Sequence, residues 1–243
     1  MSDKTPEYLL WLGFETTGLD TATCHILEAA VVLTTEQIEE VAGGEWLITY
    51  REPMPGTVTE MHIKSGLIAA LNDAIADDDW FTLYEAEIQI LDLLGRELPI
   101  GTVVTLAGSG IGTYDLPIIR RLMPDLAKRL TYHVHDVGVM RRAYFRAVGA
   151  HLTPRTEPAH RAMADVQQAL TEGRAFADLF RTSHRQEATA PSVTISREPT
   201  PFEIIHAALH AKCGICGRER ENHHHGVHAN HGPHDWQPEE SNA

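Results

Sequence analysis

The chain has 243 residues, enough for one α/β domain and a smaller appendage, and its apolar content is ordinary for a protein with a sizeable core. Its formal net charge of -14 excludes a protein that coats long nucleic acid by dense phosphate neutralisation. It leaves open an enzyme that handles short charged substrates through bound metal ions, because the ions are then the largest local charges. Three cysteines, two of them in Cys213-Gly-Ile-Cys216, make no disulfide framework and point to a reducing compartment. No apolar run approaches a membrane span, and Met1–Glu7 lacks a signal-peptide pattern. The expectation is a soluble cytoplasmic protein with no membrane partner.

Three apolar runs open the chain: Leu9–Phe14, Ile26–Leu33 and Trp46–Tyr50. Turn-rich stretches at Thr17–Thr23 and Ala42–Gly44 separate them, which predicts an antiparallel meander of three strands. Helical spacing of Leu83, Ile88, Leu91 and Leu94 predicts a helix ending near Leu98. The β-branched run Thr102–Gly108 predicts a fourth strand and Thr131–Val137 a fifth. Helices are expected over Leu116–Leu122, Val139–Val148 and Arg161–Phe180. Strands first and strand–helix alternation after them predict an α/β domain over 1–182, with a mixed five-stranded sheet flanked by helices. From about Ser183 the texture turns polar and proline-containing, so 183–201 reads as a flexible linker and 202–243 as a separate tail.

Within 1–182, ionisable groups stand where element ends expose them. Glu15 ends the first strand in "LGFETTGLD". Asp115 opens a helix in "GSGIGTYDLPII". His160 and Asp165 form His-x4-Asp at the head of the last long helix in "HRAMADVQQAL". Positions five apart on a helix are offset by roughly 140°, so both can border one cleft. Taken singly, each has a plainer reading: Asp115 as a helix N-cap, His160 as the partner of a nearby carboxylate, Asp165 as a solvated face. Their order and company carry the functional reading.

These three segments resemble the exonuclease motifs of the DEDDh 3′–5′ exonucleases, and within that superfamily the oligoribonucleases. His62-x2-Ser65-Gly66-Leu67, "RRLMPDLAKRLTYHVHDVGVMRR" and "HRAMADV" resemble that family's stretches at the same places, over about Tyr8 to Phe180. The resemblance implies a ribonuclease-H-like fold and two-metal hydrolysis of short single-stranded RNA or DNA ends to 5′-mononucleotides. Glu15 and Asp165 would hold a first Mg²⁺ or Mn²⁺ and Asp115 would support a second. His160 would take the proton from the attacking water, a task suited to histidine. Leu19 matches a base-wedging leucine, and His62 falls in a substrate-binding stretch. Tyr132 matches a tyrosine that reaches the partner's site in a homodimer; its plainer reading is an ordinary strand aromatic.

The sequence departs from the family pattern at Gly13, where the family has its first aspartate, the ligand shared by both ions. Three readings follow: an enzyme with weak activity or a rearranged ligand set, a catalytically inactive binder of oligonucleotide ends, or a replacement of an original aspartate. The family's tryptophan before the His-x2-Ser-Gly-Leu stretch has only Pro55, Gly56 and Thr57 for counterparts. The Arg and Ser that close over the substrate phosphate correspond to His133 and Gly138. Between Arg120 and Arg161 nine Lys/Arg stand against three Asp/Glu, a basic stretch that could steer phosphates or simply be solvated helix faces.

The tail "CGICGRERENHHHGVHANHGPHDW" pairs Cys213-x2-Cys216 with spaced histidines, and His223 and His234 are the best choices to complete a tetrahedral Zn²⁺ site. Its alternative is a His-rich tail with incidental metal affinity. A chain with this diverged nuclease pattern and Cys/His tail would suit a bacteriophage. Cys24 stands alone beside the second strand and is expected to be a packed small hydrophobe.

Overall fold

The computed structural model describes residues 7–50, 52–154 and 157–189, the side chains of 184–189 excepted. Five strands form one sheet: β1 (Tyr8–Thr16), β2 (Ile26–Thr35), β3 (Glu40–Leu47), β4 (Val104–Gly108) and β5 (Leu130–Asp136), in the order β3-β2-β1-β4-β5. β1, β2 and β3 pair antiparallel, while β4 runs parallel to β1 and β5 parallel to β4. The helices are α1 (Gly56–Lys64), α2 (Leu67–Ala76), α3 (Leu83–Glu97), α4 (Asp115–Leu122), α5 (Pro124–Ala127), α6 (Val137–Val148) and α7 (Ala162–Thr189). This is the expected mixed five-stranded sheet with helices against it.

The period-two alternation of strands builds two cores. Leu10, Leu12 and Phe14 of β1 join Ala29, Val31 and Leu33 of β2 on one face, packed with Ile90 and Leu94 of α3 and Ile118 and Ile119 of α4. Leu9 and Trp11 join Ala30 and Val32 on the other, covered by Ala162, Val166, Ala169 and Leu170 of α7. Burying a side chain of this size contributes about 1.5–3 kcal/mol. The indole N–H of Trp11 donates to Thr34 Oγ1 at 3.0 Å inside the second core. A capping box at Thr82 and Glu85 starts α3. Cys24 is buried in the first core, as expected of a small hydrophobe.

The largest departures from the sequence expectation concern the third strand, two added helices and the end of the last helix. The third strand is Glu40–Leu47, not Trp46–Tyr50, so Ala42–Gly44 lies within a strand. Glycine there serves close approach instead of a turn: a β-carbon at Gly44 would stand 2.8 Å from the indole of Trp46. The turn sits earlier, where Ile38 N–H donates to Thr35 O. α1 and α2 were not foreseen; α2 buries Leu67, Leu71 and Ala74 at helical spacing, the two leucines packed with Leu27. α7 runs to Thr189, so the first residues of the expected linker continue the helix. The rest of that linker, and the tail with Cys213, Cys216, His223 and His234, lie outside the described residues. Among the described residues no helix is long and apolar enough to cross a membrane.

Candidate active site

β1 sends Leu9, Trp11, Gly13 and Glu15 toward α7. At its C-terminal end Glu15 is 7% exposed and donates its carboxyl proton to Asp165, which α7 brings across from its first turns. Burial, followed by the charges of Asp165 and Glu28, pushes Glu15 up to about 8. Burial also raises Asp165, against the backbone N–H of Ala159, which donates to Asp165 Oδ1 at 3.1 Å. Two carboxylates in contact thus hold one proton between them.

Asp115 is the first residue of α4 and is itself buried. It is not the N-cap; Tyr114 holds that position. Its carboxylate accepts the backbone N–H of Phe14, beyond the last β1–β4 pair at Trp11↔Ala107, and its own N–H. Burial outweighs those bonds and raises it to about 7. His160 stands just before α7 with φ 51, a left-handed conformation that costs a non-glycine residue about 1–3 kcal/mol.

A residue that the sequence reading passed over holds His160 there. Glu28 faces Glu15 in the β1–β2 register and is 1% exposed. Arg161 Nε donates to its Oε1 at 3.0 Å and Nη2 at 2.7 Å, while the N–H of Ala162 donates to Oε2 at 2.7 Å. One carboxylate therefore caps α7 and grips the residue next to His160. Glu28 is an acidic residue inside an apolar run, and only its strand position relative to α7 reveals the role.

Gly13 lies beneath this helix end. A β-carbon there would meet Val166 Cγ2 at 3.1 Å and Ala162 O at 3.3 Å. The start of α7 takes up the space above the glycine.

Glu15 and His160 border a cavity of about 350 Å³ that also touches Leu19, Thr57 and Tyr114. Leu19 is 87% exposed at its mouth. The turn that presents it is braced by Tyr114, whose hydroxyl donates to Gly18 O at 2.7 Å, and by Thr16 Oγ1, which donates to the same carbonyl at 2.8 Å. Tyr114 was not foreseen as part of the site.

His62 is fully buried beneath the cleft and offers no surface to a substrate. Its Nε2 donates to Thr16 O at 2.8 Å, and Nδ1, without a hydrogen-bond partner, lies 3.7 Å from Glu15 Oε2. The expected substrate contact is thus replaced by a supporting one, because α1 packs the ring behind the strand end. Tyr132 is exposed on β5, an edge strand of the sheet, its ring tilted against that of His133, and is not among the residues bordering the Glu15 cavity.

The side chains present favour one cation and not the expected pair. Glu15 and Asp165 form a hard-oxygen donor pair whose shared proton a divalent cation would displace. Asp115 is turned to backbone N–H groups, Glu28 has both oxygens engaged, and position 13 has no side chain. Among the described residues no group of three or more His, Cys, Asp or Glu is arranged to hold a metal ion.

The mixed sheet in this order, with Glu15, Asp115, His160 and Asp165 carried by the ends of β1, α4 and α7, defines a ribonuclease-H-like domain of the DEDDh exonuclease class. No family model matches the chain. It is 33% identical over 181 residues to an oligoribonuclease of Rhodococcus jostii, covering 71% of this chain and 85% of that one. With an oligoribonuclease of Cutibacterium acnes it shares 34% over 173 residues, 68% of this chain and 81% of the relative. Among solved structures, the zinc-bound form of the E. coli ExoI–ssDNA complex superposes with a TM-score of 0.52 at 17% identity, covering 77% of this chain. The chain spans 46% of that structure's length, and the likeness is one of fold. This chain belongs to the oligoribonuclease family.

Proposed function

We propose that the protein is a 3′–5′ exonuclease acting on short single-stranded oligoribonucleotides and releasing 5′-mononucleotides. One observation carries this reading: Glu15, in contact with Asp165, and His160 border one cleft of nucleotide size, in a chain of the oligoribonuclease family. Leu19 at the mouth wedges against the terminal base. His160 accepts the proton of the attacking water; the P–O3′ bond breaks, and the leaving 3′ oxygen takes a proton from solvent. Glu28, through Arg161 and Ala162, keeps His160 and Asp165 in place during this step. Glu15 and Asp165 would hold a divalent cation, Mg²⁺ or Mn²⁺, which when bound would supply charge stabilisation to the phosphoryl group. Asp115 supports the end of β1 from the other face.

A second reading, an oligonucleotide-end-binding protein with no catalysis, is favoured by Gly13 and by the missing third ligand. Labelled di- to heptaribonucleotides with Mn²⁺ separate the two, run beside Gly13→Asp and His160→Ala. Hydrolysis that His160→Ala abolishes supports the enzyme. A protein that cuts no better than His160→Ala, while Gly13→Asp cuts fast, is the binder. If Gly13→Asp is inert as well, the site assignment fails.

A homodimer docking near Tyr132 is tested by light scattering on Tyr132→Ala. Zinc at Cys213, Cys216, His223 and His234 is tested by metal analysis of the intact chain, where one ion per chain is expected.

A further inference from the structure

The cleft at Glu15 does not stand alone. It shares Met61 and His160 with a second depression, which shares Pro158 with a third, a polar cavity of about 290 Å³ bordered by Asp165 and Arg141. Arg141 in turn borders a fourth, of about 350 Å³, lined by Arg142, Phe145, Arg146 and His151. The four adjoin in series, from the carboxylate pair to the outer face of α6.

The last depression has a distinct chemistry. The rings of Phe145 and His151 stack at 4.7 Å with a 25° tilt, and Phe145 is 44% exposed. Arg142 and Arg146 flank Phe145, four residues apart on α6, both exposed. Neither has a hydrogen bond or an ion pair within the described residues, whereas Arg141 is committed to Glu172 at 2.6 Å and to Ser109. Two uncommitted guanidiniums beside a stacked ring pair, in a chain of net charge -14, suit a polyanion with flat faces.

We infer that the Arg142–Phe145–Arg146 face of α6 is a second contact site for single-stranded nucleic acid, holding the upstream nucleotides of a strand whose 3′ end lies at Glu15. This rests on the functional reading for the placement of the 3′ end, and it adds to that reading a preference for strands longer than a dinucleotide. The guanidiniums take phosphates and the rings take a base. Two intervening depressions separate this face from the Glu15 cleft, so the contact is expected of longer strands and not of a dinucleotide.

The test is binding, kept separate from hydrolysis. A fluorescein-labelled heptaribonucleotide and a labelled dinucleotide are titrated by anisotropy against the full chain in EDTA, beside Arg142→Glu/Arg146→Glu and Phe145→Ala. Charge reversal is expected to weaken the heptamer about tenfold or more and to reduce the salt slope by about 1.4, the value for two single-strand phosphate contacts. Dinucleotide affinity is expected to stay level. Phe145→Ala is expected to weaken the heptamer with little change in salt slope. Heptamer affinity that is absent in the parent protein, or equal in parent and charge-reversed chains, overturns the inference, as does an equal loss for both lengths. A change of molar mass on charge reversal with unchanged heptamer affinity would assign the face to a second copy of the chain. If the heptamer depends on the arginines but is never cut, the contact site stands and the hydrolytic reading falls. If it is cut without that dependence, the reverse holds.

Discussion

Gly13→Asp is the substitution whose outcome the packing specifies most sharply. The added β-carbon meets Val166 Cγ2 at 3.1 Å and Ala162 O at 3.3 Å, so the start of α7 must give by a few tenths of an ångström. Glu28 resists that shift, because it grips Ala162 and Arg161 directly. Overpacking of this kind costs about 1–3 kcal/mol, and a third carboxyl group beside Glu15 and Asp165 adds to it. A loss of about 2–4 kcal/mol without metal corresponds to a Tm lower by roughly 4–16 °C for a domain of this size. Mn²⁺ should offset most of that loss. The new carboxylate completes a cation site, and ligand at about a hundredfold its Kd returns about 2.7 kcal/mol. The assay is differential scanning calorimetry in EDTA and in a Mn²⁺ series. A variant as stable as the parent in EDTA would refute the close seating of α7 over Gly13. A Mn²⁺ gain equal in both proteins would refute the placement of position 13 at the cation site.

Three further outcomes follow from the same geometry. Glu28→Ala leaves Arg161 and the first N–H of α7 without their partner; with Arg161 partly solvated, a loss of about 2–3 kcal/mol is expected by urea titration, and Arg161→Ala should cost at least as much because it leaves the buried Glu28 carboxylate without its cation. Glu15 is raised to about 8 from 4.5, so the folded chain binds a proton that the unfolded chain has released between those values. In EDTA its contribution to stability is fully present below pH 4.5 and is lost as pH rises to about 8, at up to about 1.4 kcal/mol per pH unit, and Glu15→Gln should flatten that slope. Thr34→Val strands the buried indole N–H of Trp11 and should cost about 1–3 kcal/mol, read as a shift of the urea midpoint with unchanged slope.

Much of the fold is legible where pattern is local. The runs around Leu10 and Val31 name β1 and β2, and the spacing of Leu83 to Leu94 names α3, because burial on one face imposes its period on the chain. The third strand was misplaced because Gly43-Gly44 resembles a turn until Trp46 is laid across it. Glu15, Asp115, His160 and Asp165 could be singled out as candidates by residue type and order, and the structure places them at the ends of β1 and α4 and the start of α7. His62 was misread because a histidine in a motif says nothing of its depth.

The sequence by itself determined the two strand faces, the helical cover and the four ionisable groups, all properties of neighbours along the chain. Only the tertiary structure decided how the ends meet. Glu28 caps α7 and holds His160 because β2 lies beside β1 in one register, although Glu28 and Arg161 are 133 positions apart in the chain. Gly13 is roofed by Ala162 and Val166 for the same reason. Contacts of this separation depend on how helices seat on a sheet, to a few tenths of an ångström, and no local pattern encodes that distance.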